Sequence, residues 1–182
     1  MSKHALIIID IQNDYFPGGK WPLDGAEAAA DNAARLLAAA RQRGDLVVHV
    51  RHEFQDSDAP FFAPGSQGAQ IHPKVEPATN EAVVLKHNVN SFRDTNLKGL
   101  LDQHGIEALT IAGSMSHMCI DSATRAAADL GYDVSVAHDA CATLSLTFDG
   151  KQVAAAEVQA AAMAALAFAY AKVVSTEQLL AG

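Results

Sequence analysis

The chain has 182 residues, 49% hydrophobic and 19% charged, which excludes intrinsic disorder and suits a single domain spanning 1–182. Lys and Arg number 13 against 21 Asp and Glu, a formal charge of -8 with no basic run, which argues against nucleic acid or an anionic membrane as a partner. No uninterrupted apolar stretch reaches the roughly 20 residues that a membrane helix needs.

The first element is Ala5–Asp10, a continuous apolar run closed by an acid, as expected of a strand buried on both faces of a parallel sheet. It is too short for an export signal, so a cytoplasmic chain is expected, with Cys119 and Cys141 reduced rather than bridged. Asp24-Gly25-Ala26-Glu27 reads as a capping box opening a helix to about Arg43, which Gly44 stops. Leu46–His52 is a second strand. The stretch 53–80 has no period and carries Pro60, Pro64, Pro73 and Pro77, a long loop of the kind that often serves function.

Ala82–Lys86 is a third strand. Asp94 or Thr95 caps a helix whose Leu97, Leu100, Leu101 and His104 share a face, ended at Gly105. Ile106–Ala112 is a fourth strand closed by Gly113, and a helix follows from about Ser116 to Leu130. Tyr132–His138, an Ala-rich helix over Lys151–Ala167, Tyr170–Ser175 and a short helical tail complete the chain. Strand–helix alternation of this kind implies a three-layer α/β/α Rossmann-like fold. Its sheet would have six mostly parallel strands with helices on both faces.

Ligands of such sheets bind beyond the carboxyl ends of the strands. The polar residues there are Asp10, His52, Lys86 and the segment Gly113–Cys119. Each alone has a bland explanation: a turn acid, a solvated lysine, a packed thiol. Together they supply a nucleophile, a general base and a cation on one rim. A helix N-terminus and a nearby ammonium both favour the thiolate, a carboxylate can take its proton, and first-turn amides can hold an oxyanion.

Four segments carry a resemblance to the isochorismatase-like cysteine hydrolases, the superfamily of nicotinamidases, isochorismatases and related amidohydrolases. They are Ile8-Ile9-Asp10-Ile11-Gln12-Asn13-Asp14-Tyr15-Phe16, Lys86-His87-Asn88-Val89-Asn90-Ser91-Phe92, Gly113-Ser114-Met115-Ser116-His117-Met118-Cys119-Ile120, and Gly131-Tyr132-Asp133-Val134 with His138-Asp139-Ala140. The resemblance implies Asp10 as general base, Lys86 as triad lysine and Cys119 as nucleophile. It also implies a cis peptide at Ser114–Met115 and an oxyanion hole from the Met115 and Cys119 amides. The implied activity is hydrolysis of a small amide through a thioester. The alternative is isochorismatase-type vinyl-ether cleavage, giving 2,3-dihydro-2,3-dihydroxybenzoate and pyruvate, in which the cysteine is dispensable. A homo-oligomer, dimer or tetramer, is also implied.

Metal-dependent relatives place Asp-x-His after the second strand, where this chain has Arg51-His52-Glu53, with His49 and His72 apart from it. Those separated histidines lack the spacing of a metal site, so neither a metal nor another cofactor is expected. Pocket walls are expected from Phe16, Trp21, Phe61, Phe62, Asn90, Phe92, His117 and Phe148, with Cys141 a bystander. A nucleotide-binding domain would need a Gly-rich turn after the first strand, and none occurs before Gly18. A non-catalytic scaffold would have no need of the complete Asp10, Lys86, Cys119 set.

Overall fold

The computed structural model describes residues 3–181. Strands β1 (His4–Ile9), β2 (Leu46–His52), β3 (Ala82–Lys86), β4 (Ala108–Ser114), β5 (Asp133–Ala142) and β8 (Lys172–Val174) form one sheet in the order β3-β2-β1-β4-β5-β8. Every neighbouring pair is parallel. The chain winds outward from β1 through β2 to β3, then restarts on the other side with β4. The crevice between β1 and β4 is therefore the switch point at which sheets of this kind bind ligands.

The central strands are apolar on both sides because both faces are covered. Leu6 and Ile8 of β1 pack under α1 (Ala26–Arg43), whose buried Ala26, Ala29, Ala30, Ala33, Leu36, Leu37 and Ala40 repeat at helical spacing. Leu179 and Leu180 of α5 (Thr176–Ala181) join that layer. Ala5, Ile7 and Ile9 face the opposite way, onto Leu97 and Leu101 of α2 (Leu97–Gln103), Ala123 and Ala127 of α3 (Asp121–Asp129), and Met163 and Leu166 of α4 (Ala155–Ala169). Small alanines let α1 lie close to the sheet. Among the described residues, no helix is long and apolar enough to cross a membrane.

The structure departs from the sequence reading at several ends. Asp24 caps nothing: α1 starts from Gly25 in a left-handed conformation, and Asp24 instead forms a bridge to Thr143 beyond β5. Strand β4 runs two residues further than Ala112, and β5 runs on from His138 to Ala142. The stretch before α3 is a π-helical turn over Ser116–Ile120. Lys151–Val153 is not helical but forms β7, antiparallel to β6 (Leu146–Phe148). The hairpin turns at Asp149 and Gly150, both with positive φ (47° and 73°), the conformation of an Asp-Gly turn. The loop 53–80 holds the short 3-10 turn Pro73–Val75 and an isolated bridge from Ile71 to Gln12.

Candidate active site

Three chain segments meet at the switch point. Asp10 leaves β1 with a left-handed φ of 53°, its amide still bonded to Val50 O at 2.9 Å. Cys119 rides on the π-helical turn that follows β4, and the Ser114–Met115 peptide before that turn is cis. Gly113 makes the approach of β4 to β1 possible. Its φ is 130°, and a Cβ there would lie 1.8 Å from the Ile9 carbonyl oxygen, so only a residue without a side chain fits.

Lys86, at the end of β3, reaches into the middle of this cluster and is completely buried. Its Nζ stands 2.8 Å from Asp10 Oδ2, an ion pair in which neither side chain is exposed. The same ammonium lies 3.3 Å from Cys119 Sγ, 3.1 Å from Asn88 O and 2.7 Å from His52 Nδ1. One ammonium with three protons thus faces four acceptors. Asp10, His52 and Cys119 offer donor atoms within 4.8 Å of one another, close enough to hold a metal ion. Lys86 Nζ already sits against all three, so a cation of the chain itself fills that position.

Burial dominates the electrostatics. It raises the Asp10 carboxyl above its ordinary range, against the opposing pull of Lys86. Burial, reinforced by the Asp10 charge, pushes the Cys119 thiol up to about 12. Burial also works against the Lys86 ammonium, but Asp10 and Cys119 outweigh it, and the net shift is upward. The sulfur therefore rests as a neutral thiol beside the Lys86 ammonium, whose charge opposes protonation of Asp10. Removal of water costs the thiolate more than a helix start and an ammonium return, so the sulfur needs a base to take its proton.

A second set of buried groups holds the rim in place. Gln12 clasps the His52 backbone from both sides, donating to its O and accepting from its N, each at 2.8 Å, and also donates to Ala69 O. Asp14 accepts from Phe62 N at 2.7 Å, and Gly68 packs so close that a Cβ there would fall 2.2 Å from the Asp14 carboxylate. Neither role is visible in the sequence, although both residues sit in the first resembling segment.

The eight expected pocket residues do not form one group. Phe61 and Phe62 are buried and contact each other edge-on, Phe61 stacks on the partly exposed Trp21, and Phe62 lies 6.2 Å from the His52 ring. Phe16 is buried and stacks on His72 at 3.7 Å. Asn90 accepts from Phe92 N, and Phe92 faces Tyr132 rather than the other rings. His117 bonds Thr143 Oγ1 at 2.7 Å and shares a groove of about 370 Å³ with Phe148, which is 83% exposed. Cys141 is buried, like Cys119 a free thiol, and plays no part in the cluster. His49 bonds Glu81 at 2.9 Å, apart from these groups.

Residues 4–178 match the model of the isochorismatase domain. The chain is 48% identical to the uncharacterized isochorismatase family protein YddQ of Bacillus subtilis, over 97% of this chain and 98% of that one. It is 30% identical to maleamate amidohydrolase of Pseudomonas putida, over 75% of this chain and 71% of the relative. The crystal structure of a protein from Oleispira antarctica superposes with a TM-score of 0.95 at 61% identity, covering 98% of this chain and 96% of the other.

Proposed function

The chain belongs to the isochorismatase family of hydrolases, and we propose that it is a cysteine-dependent amidohydrolase that cleaves the C–N bond of a small amide through a thioester. One observation carries the reading: a single buried ammonium touches both the carboxylate of Asp10, at 2.8 Å, and the sulfur of Cys119, at 3.3 Å. The likeness to maleamate amidohydrolase supports the choice of an amide.

Asp10 takes the thiol proton as Sγ bonds to the amide carbon, so that a free thiolate never has to persist in the buried site. The carbonyl oxygen becomes an oxyanion, for which the Met115 and Cys119 amides are the donors in this reading. Protonated Asp10 passes its proton to the leaving nitrogen, the C–N bond breaks, and ammonia or an amine departs. Water then adds to the thioester as Asp10 accepts its proton. The C–S bond breaks, the acid leaves, and sulfur recovers a proton. Lys86 keeps its charge throughout and holds Asp10 ionised at the start of each half.

A homo-oligomer belongs to the same reading, with Phe148 and Phe168, 83% and 91% exposed in a single chain, as the rings its contact would cover. Light scattering should then give a dimer or tetramer mass. The chemistry is tested with a panel of small amides, read by ammonia release, and by hydroxylamine trapping of the acyl group. Turnover should vanish in Cys119→Ala. Full amide turnover by that variant, or cleavage of isochorismate by it without ammonia release from any amide, would overturn the proposal.

A further inference from the structure

His52 is buried within the cluster, yet the reaction just described does not use it. It ends β2 as the register partner of Lys86 at the end of β3. An ammonium can only donate, so in the 2.7 Å contact His52 Nδ1 is the acceptor and the neutral ring carries its proton on Nε2. That Nε2 is buried and has no hydrogen-bond partner among the described residues. The ring is fixed from two directions. Gln12 holds its backbone on both sides, and Phe54 packs 4.7 Å from it. A histidine held this firmly against a buried lysine, at the cost of an unpaired N–H, is in place for its acceptor nitrogen.

We propose that His52 is a positioning residue: by accepting one Lys86 proton at Nδ1 it stops the ammonium from turning about its Cε–Nζ bond. The second proton is then directed to Asp10 Oδ2. The third lies between Asn88 O at 3.1 Å and Cys119 Sγ at 3.3 Å, free to turn its hydrogen bond to the sulfur as negative charge develops there while the proton stays on nitrogen. Without the Nδ1 acceptor, that third proton is no longer reserved for the sulfur. The ring can do this because it stays neutral, since burial together with the Lys86 and His87 charges lowers its pKa to about 3. The charged and titratable groups around the pair are Asp10 after β1, Tyr15 in the 3-10 turn that follows, Lys86 and His87 at the end of β3, and Cys119 on the π-helical turn.

The inference rests on the cysteine-hydrolase reading, so its test includes an arm that needs no substrate. His52→Asn keeps an acceptor oxygen near the place of Nδ1, His52→Gln puts one near the place of Nε2, and His52→Leu removes both. Iodoacetamide alkylation of Cys119 is followed against pH by peptide mass spectrometry, and kcat and KM are measured on whichever amide the panel yields. In His52→Leu, alkylation between about pH 7 and 9 should slow by about 10- to 100-fold, the effect of losing one hydrogen bond to a charged group. The kcat should fall similarly with KM nearly unchanged, Asn should restore most of both, and Gln should not. A wild-type alkylation rate in His52→Leu, or rescue by Gln equal to that by Asn, would overturn the role. Should the Leu variant fail to fold, the contrast between Asn and Gln decides. If no amide is turned over but the alkylation pattern holds, the amidase reading fails and the positioning role stands.

Discussion

The buried Asp10–Lys86 pair offers a test in which stability and activity must part. At 2.8 Å and an effective dielectric of about 20, the attraction is about 6 kcal/mol, comparable with the several kcal/mol it costs to remove each ion from water. The pair therefore contributes little net stability, while either ion alone is costly. Lys86→Met leaves the buried carboxylate with only the Cys119 thiol beside it, and should lower the unfolding free energy by about 3–5 kcal/mol in urea at neutral pH. Asp10→Asn leaves an ammonium that still has His52 Nδ1, Asn88 O and Cys119 Sγ, so its loss should be smaller, about 1.5–3 kcal/mol. The double variant removes both charges and should recover much of the sum, with a coupling of about 2–3 kcal/mol. The Lys86→Met deficit should shrink as pH is lowered, because a carboxyl with a raised folded pKa is least costly where it is protonated. All three variants should be inactive. Additive losses in the double variant would mean that the two groups do not share one buried environment, and the proposed proton exchange would lose its basis.

Gly113→Ala should unfold the rim rather than tune it. The φ of 130° alone costs an alanine about 1–3 kcal/mol, and the Cβ contact with Ile9 O adds to that, so a sharply lower urea midpoint is expected, while Gly18→Ala, with open space around it, should lose less. The stability of the wild type should fall at both ends of the pH range, as read from urea midpoints. Above about pH 9 the raised pKa values of Lys86, Cys119 and Cys141 mean that the folded state holds protons the unfolded chain has released, so stability declines as pH rises. Below 6.5, His49 and His52 stay neutral in the fold but protonate when unfolded, so stability declines as pH falls, with Asp10 opposing in part. His52→Asn should flatten the acid side. A midpoint that rises monotonically with pH would contradict these shifts.

The strand ends were readable because a strand buried on both faces has little choice of residue until it emerges. That constraint marks Asp10 and Lys86 as sharply as a gap in the apolar run can, and β2 and β3 begin and end where the pattern places them. The hairpin of β6 and β7 was hidden for a different reason. An Asp149-Gly150 turn stood between two short alternating runs, but the long alanine stretch after it drew Lys151–Val153 into a helix. Gln12 and Asp14 could not be read at all, since their partners are backbone groups of distant loops.

His52 shows where reading one residue at a time gives out. Taken alone it lacks the spacing of a metal ligand. The same strand-end rule that singles out Lys86 also puts His52 at the end of the neighbouring strand, and parallel register then makes the two a lateral pair. A helix start and an ammonium favour a thiolate, but the sulfur lies where water is absent, and there the neutral thiol is preferred. This preference has a chemical consequence for the proposed reaction. Because the folded site penalises a free thiolate and also raises the Asp10 carboxyl toward accepting a proton, the state with the proton on Asp10 and the charge dispersed over an attacked carbonyl is favoured over the ion. Burial that looks unfavourable for a resting nucleophile thus couples proton removal to bond formation, and ties the reactivity of Cys119 to the presence of a substrate.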